Sequence, residues 1–228
     1  MSDRGHGDKN TLLNFFRVIC LCHDVTKVTD RDGNSFFTGP SQDELCLLDM
    51  AKENKMVEFI ERDSSIFRIS VRGNREAYRN IKFYDFTSER KMMTRIVQRV
   101  NPITEVPDEI FNETIVFVKG ADTSILARSI PAHLADSNRD GNGQYSYRSQ
   151  QGNVDAFSEE EQAVVDMIEV SAAKGYRTLA FGMKKLNSPD VEGRFTQTEI
   201  ESCFQLLGAT CVEDLLQKDV QRCLLDFK

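Results

Sequence analysis

Between Thr11 and Val25 the apolar residues Leu12, Leu13, Phe15, Phe16, Val18, Ile19 and Leu21 stand too densely for a helix with one wet face, and they predict a helix packed on a core. Turn residues from Thr29 to Ser35 follow it. Ser41 can then cap a second helix carrying Leu45, Leu47, Leu48 and Met50, which places Asp43 and Glu44 in its first turn. From Met56 the pattern shifts to short runs rich in β-branched and aromatic residues: Met56 to Glu61, Ile66 to Val71, Glu76 to Phe86 and Met92 to Gln98. With Arg72-Gly-Asn-Arg75 reading as a hairpin turn, these runs predict an antiparallel sheet.

The second half alternates the two kinds of pattern. Thr114-Ile-Val-Phe-Val118 predicts an apolar strand with Lys119 at its end, and Ser124 to Ile130 a short helix. Pro131 to Val154 is rich in Ser, Asn, Gly and Gln and reads as a polar loop or insertion. Ser158-Glu-Glu-Glu161 has the form of a capping box, opening a helix with Val164, Val165, Ile168 and Val170 that ends near Gly175. Arg177 to Leu186 is then a strand, Thr196 to Leu207 an amphipathic helix, Gly208 to Val212 a strand and Glu213 to Leu225 a final helix. There is no internal repeat. The chain reads as α+β in a two-layer α/β arrangement, with a mainly antiparallel sheet flanked by helices.

Composition narrows the function classes. At 228 residues, with 40% hydrophobic and 29% charged residues, the chain has the make-up of a globular domain and not of a disordered or low-complexity one. A net charge of -7 offers no general attraction to phosphate backbones, so nucleic acid is not an expected partner. No stretch approaches the roughly 18 apolar residues of a membrane span, and the first ten residues carry no apolar signal core. The six cysteines are scattered along the chain, which predicts reduced, mostly buried thiols and a cytosolic setting.

Local motifs for common chemistries are weak or missing. Cys20-Leu-Cys22-His23 offers zinc-type ligands, but on a helix the two thiols point roughly 200° apart and no second pair stands at a suitable distance. Asp136-Ser-Asn138-Arg-Asp140-Gly141 resembles the first half of a calcium loop, yet Tyr147 occupies the place of its closing bidentate Glu. Neither glycine-rich phosphate cradle is present, nor a Gly-x-Ser-x-Gly elbow, nor His-Glu-x-x-His. What remains is a set of dispersed polar blocks around Glu44, Phe86 to Lys91, Lys119 to Asp122 and Gly175 to Leu179.

Taken in order, these blocks resemble the nucleotide-binding domain of P-type ATPases, in particular the phospholipid-flippase (type IV) branch, over about residues 13 to 221. Phe15-Phe-Arg-Val-Ile-Cys-Leu-Cys-His23 resembles the family's Phe-Phe-Arg-x-Leu-Ala-Leu-Cys-His stretch, and Ser41-Gln-Asp-Glu44 its Ser-Pro-Asp-Glu. Tyr84-Asp-Phe-Thr-Ser-Glu-Arg-Lys-Met-Met93 is similar to Leu-x-Phe-x-Ser-x-Arg-Lys-Arg-Met, Lys119-Gly-Ala-Asp122 matches Lys-Gly-Ala-Asp, and Gly175-Tyr-Arg-Thr-Leu179 resembles Gly-Leu-Arg-Thr-Leu. Leu207 to Gln217 resembles the segment by which such chains re-enter the phosphorylation domain. Lys-Gly-Ala-Asp, where cation pumps more often show Lys-Gly-Ala-Pro, favours the flippase over a cation-transporting relative. A calcium-sensing or interaction module around Asp136 to Tyr147 is the alternative from another class.

The resemblance implies that Phe86 stacks on adenine, Glu44 accepts from the adenine edge, and Ser88 adds a polar contact. Lys119 would border the pocket and reach towards the phosphates, while Arg177 gives them a forked donor. It implies ATP with Mg2+ as ligands, the ion held mainly by a phosphorylation domain. It also implies a cytosolic domain of an integral membrane pump, partnered by phosphorylation, actuator and transmembrane domains and by a possible accessory subunit. Residues 11 to 207 would form the nucleotide-binding domain and 208 to 228 the start of the phosphorylation domain. Such a fragment is expected to be soluble and to bind nucleotide without turnover, with no catalytic residue and no metal site of its own. Gln42 replaces the family's Pro before Glu44, and Met92 replaces an Arg, which predicts one positive charge fewer near the pocket.

Overall fold

The computed structural model describes residues 5–130, 157–186, 195–213 and 220, with side chains from residue 10 onwards. Helix α1 (Gly5–Leu21) leads into a hairpin of β1 (Thr26–Thr29) and β2 (Ser35–Thr38), then helix α2 (Gln42–Glu53). Strands β3 (Val57–Arg62), β4 (Ile66–Val71), β5 (Asn74–Tyr84), β6 (Met92–Val100) and β7 (Thr114–Ala121) follow in sequence. After them come α3 (Asp122–Leu126), β8 (Ser129–Ile130), α4 (Glu159–Ala173), β9 (Arg177–Leu186), α5 (Gln197–Ile200) and β10 (Phe204–Val212).

Strands β3 to β10 form one eight-stranded sheet in the order β3-β4-β5-β6-β7-β9-β10-β8. Every pairing is antiparallel except the short parallel contact of β8 with β10. The β4–β5 hairpin closes through Arg72 and Gly73, both with positive φ, the backbone that a tight two-residue turn requires. Helices α1 and α2 lie on one face, where Leu21, Cys22, Leu47 and Leu48 pack with Phe59, Met93, Phe117 and Phe181. The opposite face is covered by α3, α4 and α5, whose Ile125, Val165, Ile168 and Ile200 pack with Met92, Ile96, Val116 and Phe204.

The α+β class and the flanked antiparallel sheet stand, but helices on both faces add a third layer to the expected two. Double-sided burial explains the uninterrupted apolar run of β7, in which Ile115 and Phe117 serve one core while Val116 and Val118 serve the other. Each fully buried large apolar side chain here contributes roughly 1.5–3 kcal/mol. Arg95 is the largest of the fully buried side chains, 1% exposed. Its guanidinium lies over the rings of Phe67 and Phe83 and donates to the His23 carbonyl at 2.8 Å, tying the chain that leaves α1 to the sheet.

Some boundaries move. Strand β7 runs on through Lys119 to Ala121, so Lys119 belongs to the ladder and does not merely follow it. The helix expected over Ser124 to Ile130 is α3, which starts at Asp122 and stops at Leu126; Ser129 and Ile130 are drawn into strand β8 by Phe204 and Gln205. The helix expected over Thr196 to Leu207 keeps its Thr196 capping box but ends at Ile200. Cys203 then takes a left-handed φ of 56°, Phe204 pairs with β8 and the residues from Gln205 with β9, so sheet pairing overrides the helical spacing. The division drawn between 207 and 208 falls inside β10, whose ladder with β9 extends to Val212. The polar loop of 131–154, with its half calcium motif, and the helix over 213–225 lie outside the described residues, Glu213 and Val220 excepted. Among the described residues no helix is long and apolar enough to cross a membrane.

Four elements end side by side at one end of the sheet. Met92 of β6 pairs with Gly120 of β7, Gly120 with Ala180 of β9, and Arg177 of β9 with Val212 of β10. The glycine is needed for this closeness, because a Cβ at residue 120 would lie 2.7 Å from the Met92 Cα and closer still to the Lys91 carbonyl oxygen. Gly120→Ala is expected to force β6 and β7 apart at this end, lowering stability by about 1–3 kcal/mol in urea unfolding.

Candidate functional site

A cavity of about 800 Å³ opens at that end of the sheet. The first turn of α2 forms one wall, the Asp85–Lys91 connection another, and the ends of β7, β9 and β10 the floor. Glu44, Phe86, Ser88, Lys119 and Arg177, dispersed over more than half of the sequence, all line it. Its size lies within the usual range of small-molecule sites, roughly 300–1,000 Å³.

Helix α2 begins where the sequence placed it. Ser41 is the N-cap and accepts from the Glu44 N–H at 3.4 Å, so Gln42 at the first helical position leaves the cap in place. Glu44 thereby points off the first turn into protein, where only 4% of it is exposed. Its Oε1 accepts from Lys119 Nζ at 2.5 Å and its Oε2 from the Asp24 N–H at 3.0 Å. Lys119 reaches it because the register pairs residue 119 with Met93 and Phe181, on the face that α1 and α2 cover. Each carboxylate oxygen keeps a second lone pair for another donor.

Arg177 makes the second ion pair across from α2. Its Nη1 and Nη2 donate to Asp43 Oδ2 and Oδ1, each at 3.0 Å. This bidentate pair is far more exposed than the one between Glu44 and Lys119, with side-chain exposures of 53% and 28% against 10% and 5%.

Phe86 is 53% exposed, an unusual setting for a large aromatic, and it lines the cavity. The connection that carries it is anchored by Arg90. That guanidinium donates to the Asp85 carbonyl and, at 2.5 Å, to Glu201, whose buried carboxylate also accepts from Thr94 at 2.7 Å. The Lys91 N–H returns to the Thr87 carbonyl at 2.7 Å, and the Lys91 carbonyl accepts from the Ala121 N–H at 2.9 Å. Met92 is fully buried on the opposite face of the sheet, so it marks no lost charge at the pocket, whereas its neighbours Lys91 and Met93 line it together with Asp85, Phe86 and Ser88.

Two motif residues act through each other. Thr178 Oγ1 donates to Asp122 Oδ2 at 2.7 Å, joining the Lys-Gly-Ala-Asp end of β7 to the start of β9. Sequence reasoning assigned no part to Asp43, Arg90, Asp122 or Thr178, although all four stand inside or beside the quoted blocks. Only their pairing in space reveals what they hold.

The Cys20, Cys22 and His23 group is occupied by structure. Cys20 contacts the Val57 carbonyl at 3.8 Å, and Cys22 those of Met93 and Phe117, each at 3.7 Å. Burial pushes the Cys20 thiol up and that of Cys22 to about 11, so neither is a ready thiolate. His23 Nδ1 accepts from the Val25 N–H at 3.0 Å, which leaves Nε2–H to donate to the Cys20 carbonyl at 2.9 Å. Among the described residues no group of three or more His, Cys, Asp or Glu side chains could hold a metal ion.

The model of one protein family, the cytoplasmic domain N of P-type ATPases, matches residues 11–219. The chain belongs to that family. It is 28% identical over 233 residues to phospholipid-transporting ATPase IC of Xenopus tropicalis, covering 94% of this chain and 16% of that protein. It is 30% identical over 244 residues to probable phospholipid-transporting ATPase 5 of Arabidopsis thaliana, with 94% and 17% covered. Phospholipid-transporting ATPase 11C of Mus musculus is 27% identical over 237 residues, with 92% and 18% covered. This domain N thus spans less than a fifth of the length of these curated relatives.

The electrostatics beneath the cavity of this domain N give two expectations. Removing one partner of a buried ion pair leaves the other uncompensated, so Lys119→Met is expected to cost about 3–5 kcal/mol in urea unfolding. Glu44→Gln added to it should recover much of that loss. Burial, and after it the Lys119 ammonium and the Arg95 guanidinium, hold the His23 imidazole well below its ordinary 6.5. Below 6.5 the unfolded chain therefore takes up a proton that the folded chain refuses. The stability from this group is complete above about 6.5 and falls as the pH drops through it, by up to about 1.4 kcal/mol per pH unit. Unfolding measured on either side of that pH should show the slope, and His23→Gln should flatten it.

Proposed function

We propose that this domain N binds ATP for a phospholipid-translocating P-type pump and presents it to an aspartate of a neighbouring phosphorylation domain. The observation that supports this most directly is the convergence of Phe86, Glu44, Lys119 and Arg177 on one cavity. The shared description of the three relatives as phospholipid-transporting ATPases favours a lipid cargo over a cation.

The cavity suits the parts of a nucleotide. Phe86 offers an exposed π-face to adenine, and the apolar side chains of Leu47, Met93 and Leu179 give the base a dry surround. Glu44, held by Lys119 and the Asp24 amide, keeps lone pairs for an adenine N–H donor, and Ser88 adds a hydroxyl. Lys119 brings a positive charge to the floor, and the Arg177 fork matches the spacing of two phosphate oxygens. Bound ATP supplies the phosphoryl group that moves to the aspartate.

Mg2+ would arrive with the nucleotide and be held mainly by the phosphorylation domain; of the carboxylates that line the cavity, Asp24, Asp43 and Glu44 already face Arg62, Arg177 and Lys119. The work of this chain is positioning; with the acceptor aspartate on another domain, it binds ATP without hydrolysing it. The actuator and membrane domains of the same pump are its working partners, joined in some pumps by an accessory subunit, and its place is the cytosolic side of a membrane.

Phe86→Ala tests the pocket. Because Phe86 is half exposed, the variant should stay folded, while ATP affinity falls about 5- to 150-fold, the equivalent of roughly 1–3 kcal/mol of base stacking. Backbone amide shifts during ATP titration, without and with magnesium, measure it. Unchanged affinity, or wild-type shifts that avoid Glu44, Phe86, Lys119 and Arg177, would sink the proposed pocket.

A further inference from the structure

We infer that Asp43 is a built-in competitor for the phosphate groups of the nucleotide, holding Arg177 until a phosphate takes its place and so setting how strongly affinity depends on phosphate. This rests on the nucleotide reading of the cavity and adds to it a residue that opposes binding.

The cavity is not a basic cradle. Four carboxylates line it, Asp24, Asp43, Glu44 and Asp85, against three cations, Lys91, Lys119 and Arg177. Of these cations Lys119 and Arg177 are already partnered, by Glu44 and Asp43, and the two pairs differ in kind. Lys119 and Glu44 are buried, and Glu44 also holds the Asp24 amide, so parting them would strand charges inside the protein. The pair of Arg177 with Asp43 stands at the edge of the cavity, with half of the arginine side chain in water. Such a pair is inexpensive to break.

Geometry makes the exchange direct. Asp43 presents two oxygens to two guanidinium nitrogens, each contact 3.0 Å long, and a phosphate group presents the same pair of acceptors to the same fork. Asp43 also repels the incoming phosphates while its charge remains in the cavity. Lys119 and Glu44 therefore form a fixed floor, and Asp43 with Arg177 an exchangeable contact. A ligand without phosphate, such as adenosine, leaves that contact alone.

Titrating adenosine, AMP, ADP and ATP into wild-type protein and into Asp43→Asn tests this by backbone amide shifts, whose dispersion also reports folding. Asp43→Asn is expected to raise ATP affinity about 2- to 5-fold, the size an exposed ion pair commands, and to leave adenosine affinity unchanged. Added to Arg177→Gln, it should bring a smaller gain than it brings alone. In the wild type, the Arg177 guanidinium resonances should move with ATP and stay with adenosine, a readout that needs no variant. Equal gains for adenosine and ATP, a loss of ATP affinity in Asp43→Asn, or guanidinium resonances indifferent to ATP would overturn the competitor while leaving the nucleotide pocket standing. A wild-type protein that ignores ATP altogether would overturn both.

Discussion

The buried contact of Lys119 with Glu44 organises the rest of the molecule. It joins the end of a central strand to the first turn of a helix far away in sequence, and it does so where both side chains are almost wholly buried. A pair in that position is costly to form and costlier to break, so its value lies less in net stability than in fixing one geometry. Around it the Asp24 amide, the cap at Ser41 and the close approach of β6 to β7 at Gly120 all take their places. A cavity wall and its floor are thereby set by the same few atoms.

Sheet order does the remaining gathering. Because β7 sits between β6 and β9, and β9 beside β10, segments distant in the chain finish at one end of the sheet. Double-sided packing holds that end firm from both faces, with Met93 and Phe181 beneath the site and Met92 and Ala180 behind it. The Phe86 connection has no such backing. It depends on Arg90, which reaches across to Glu201 and returns to the Asp85 carbonyl. The site thus combines a rigid floor with one wall held mainly by hydrogen bonds.

How much of this was readable beforehand follows from which interactions are local. Caps and turns are local, so Ser41, Ser158 and Arg72-Gly-Asn-Arg75 were legible to within a residue or two. The antiparallel run from β3 to β6 was legible because hairpin neighbours are also sequence neighbours. The strand β8 and the early start of β10 were not, since Ser129 and Phe204 become strands only by meeting each other. The helices on the second face escaped notice as a layer because an apolar residue does not say which face it serves. At the site, the residue types of Glu44, Phe86, Lys119 and Arg177 were visible, while the roles of Asp43, Arg90, Asp122 and Thr178 lie in partners that no spacing rule supplies.

The cavity draws on residues as far apart as Asp24 and Val212, on six separate stretches of chain brought together by a sheet of eight strands. No partly folded form that lacks one of these stretches contains the whole site. A ligand of the cavity therefore binds the native state and ignores the unfolded one, and its concentration enters the folding equilibrium itself: at a hundred times its dissociation constant it adds about 2.7 kcal/mol. Beside the roughly 5–15 kcal/mol that separates native domains from their unfolded chains, that is a large share. The ligand of this domain is, by that arithmetic, also one of the forces that keep it folded.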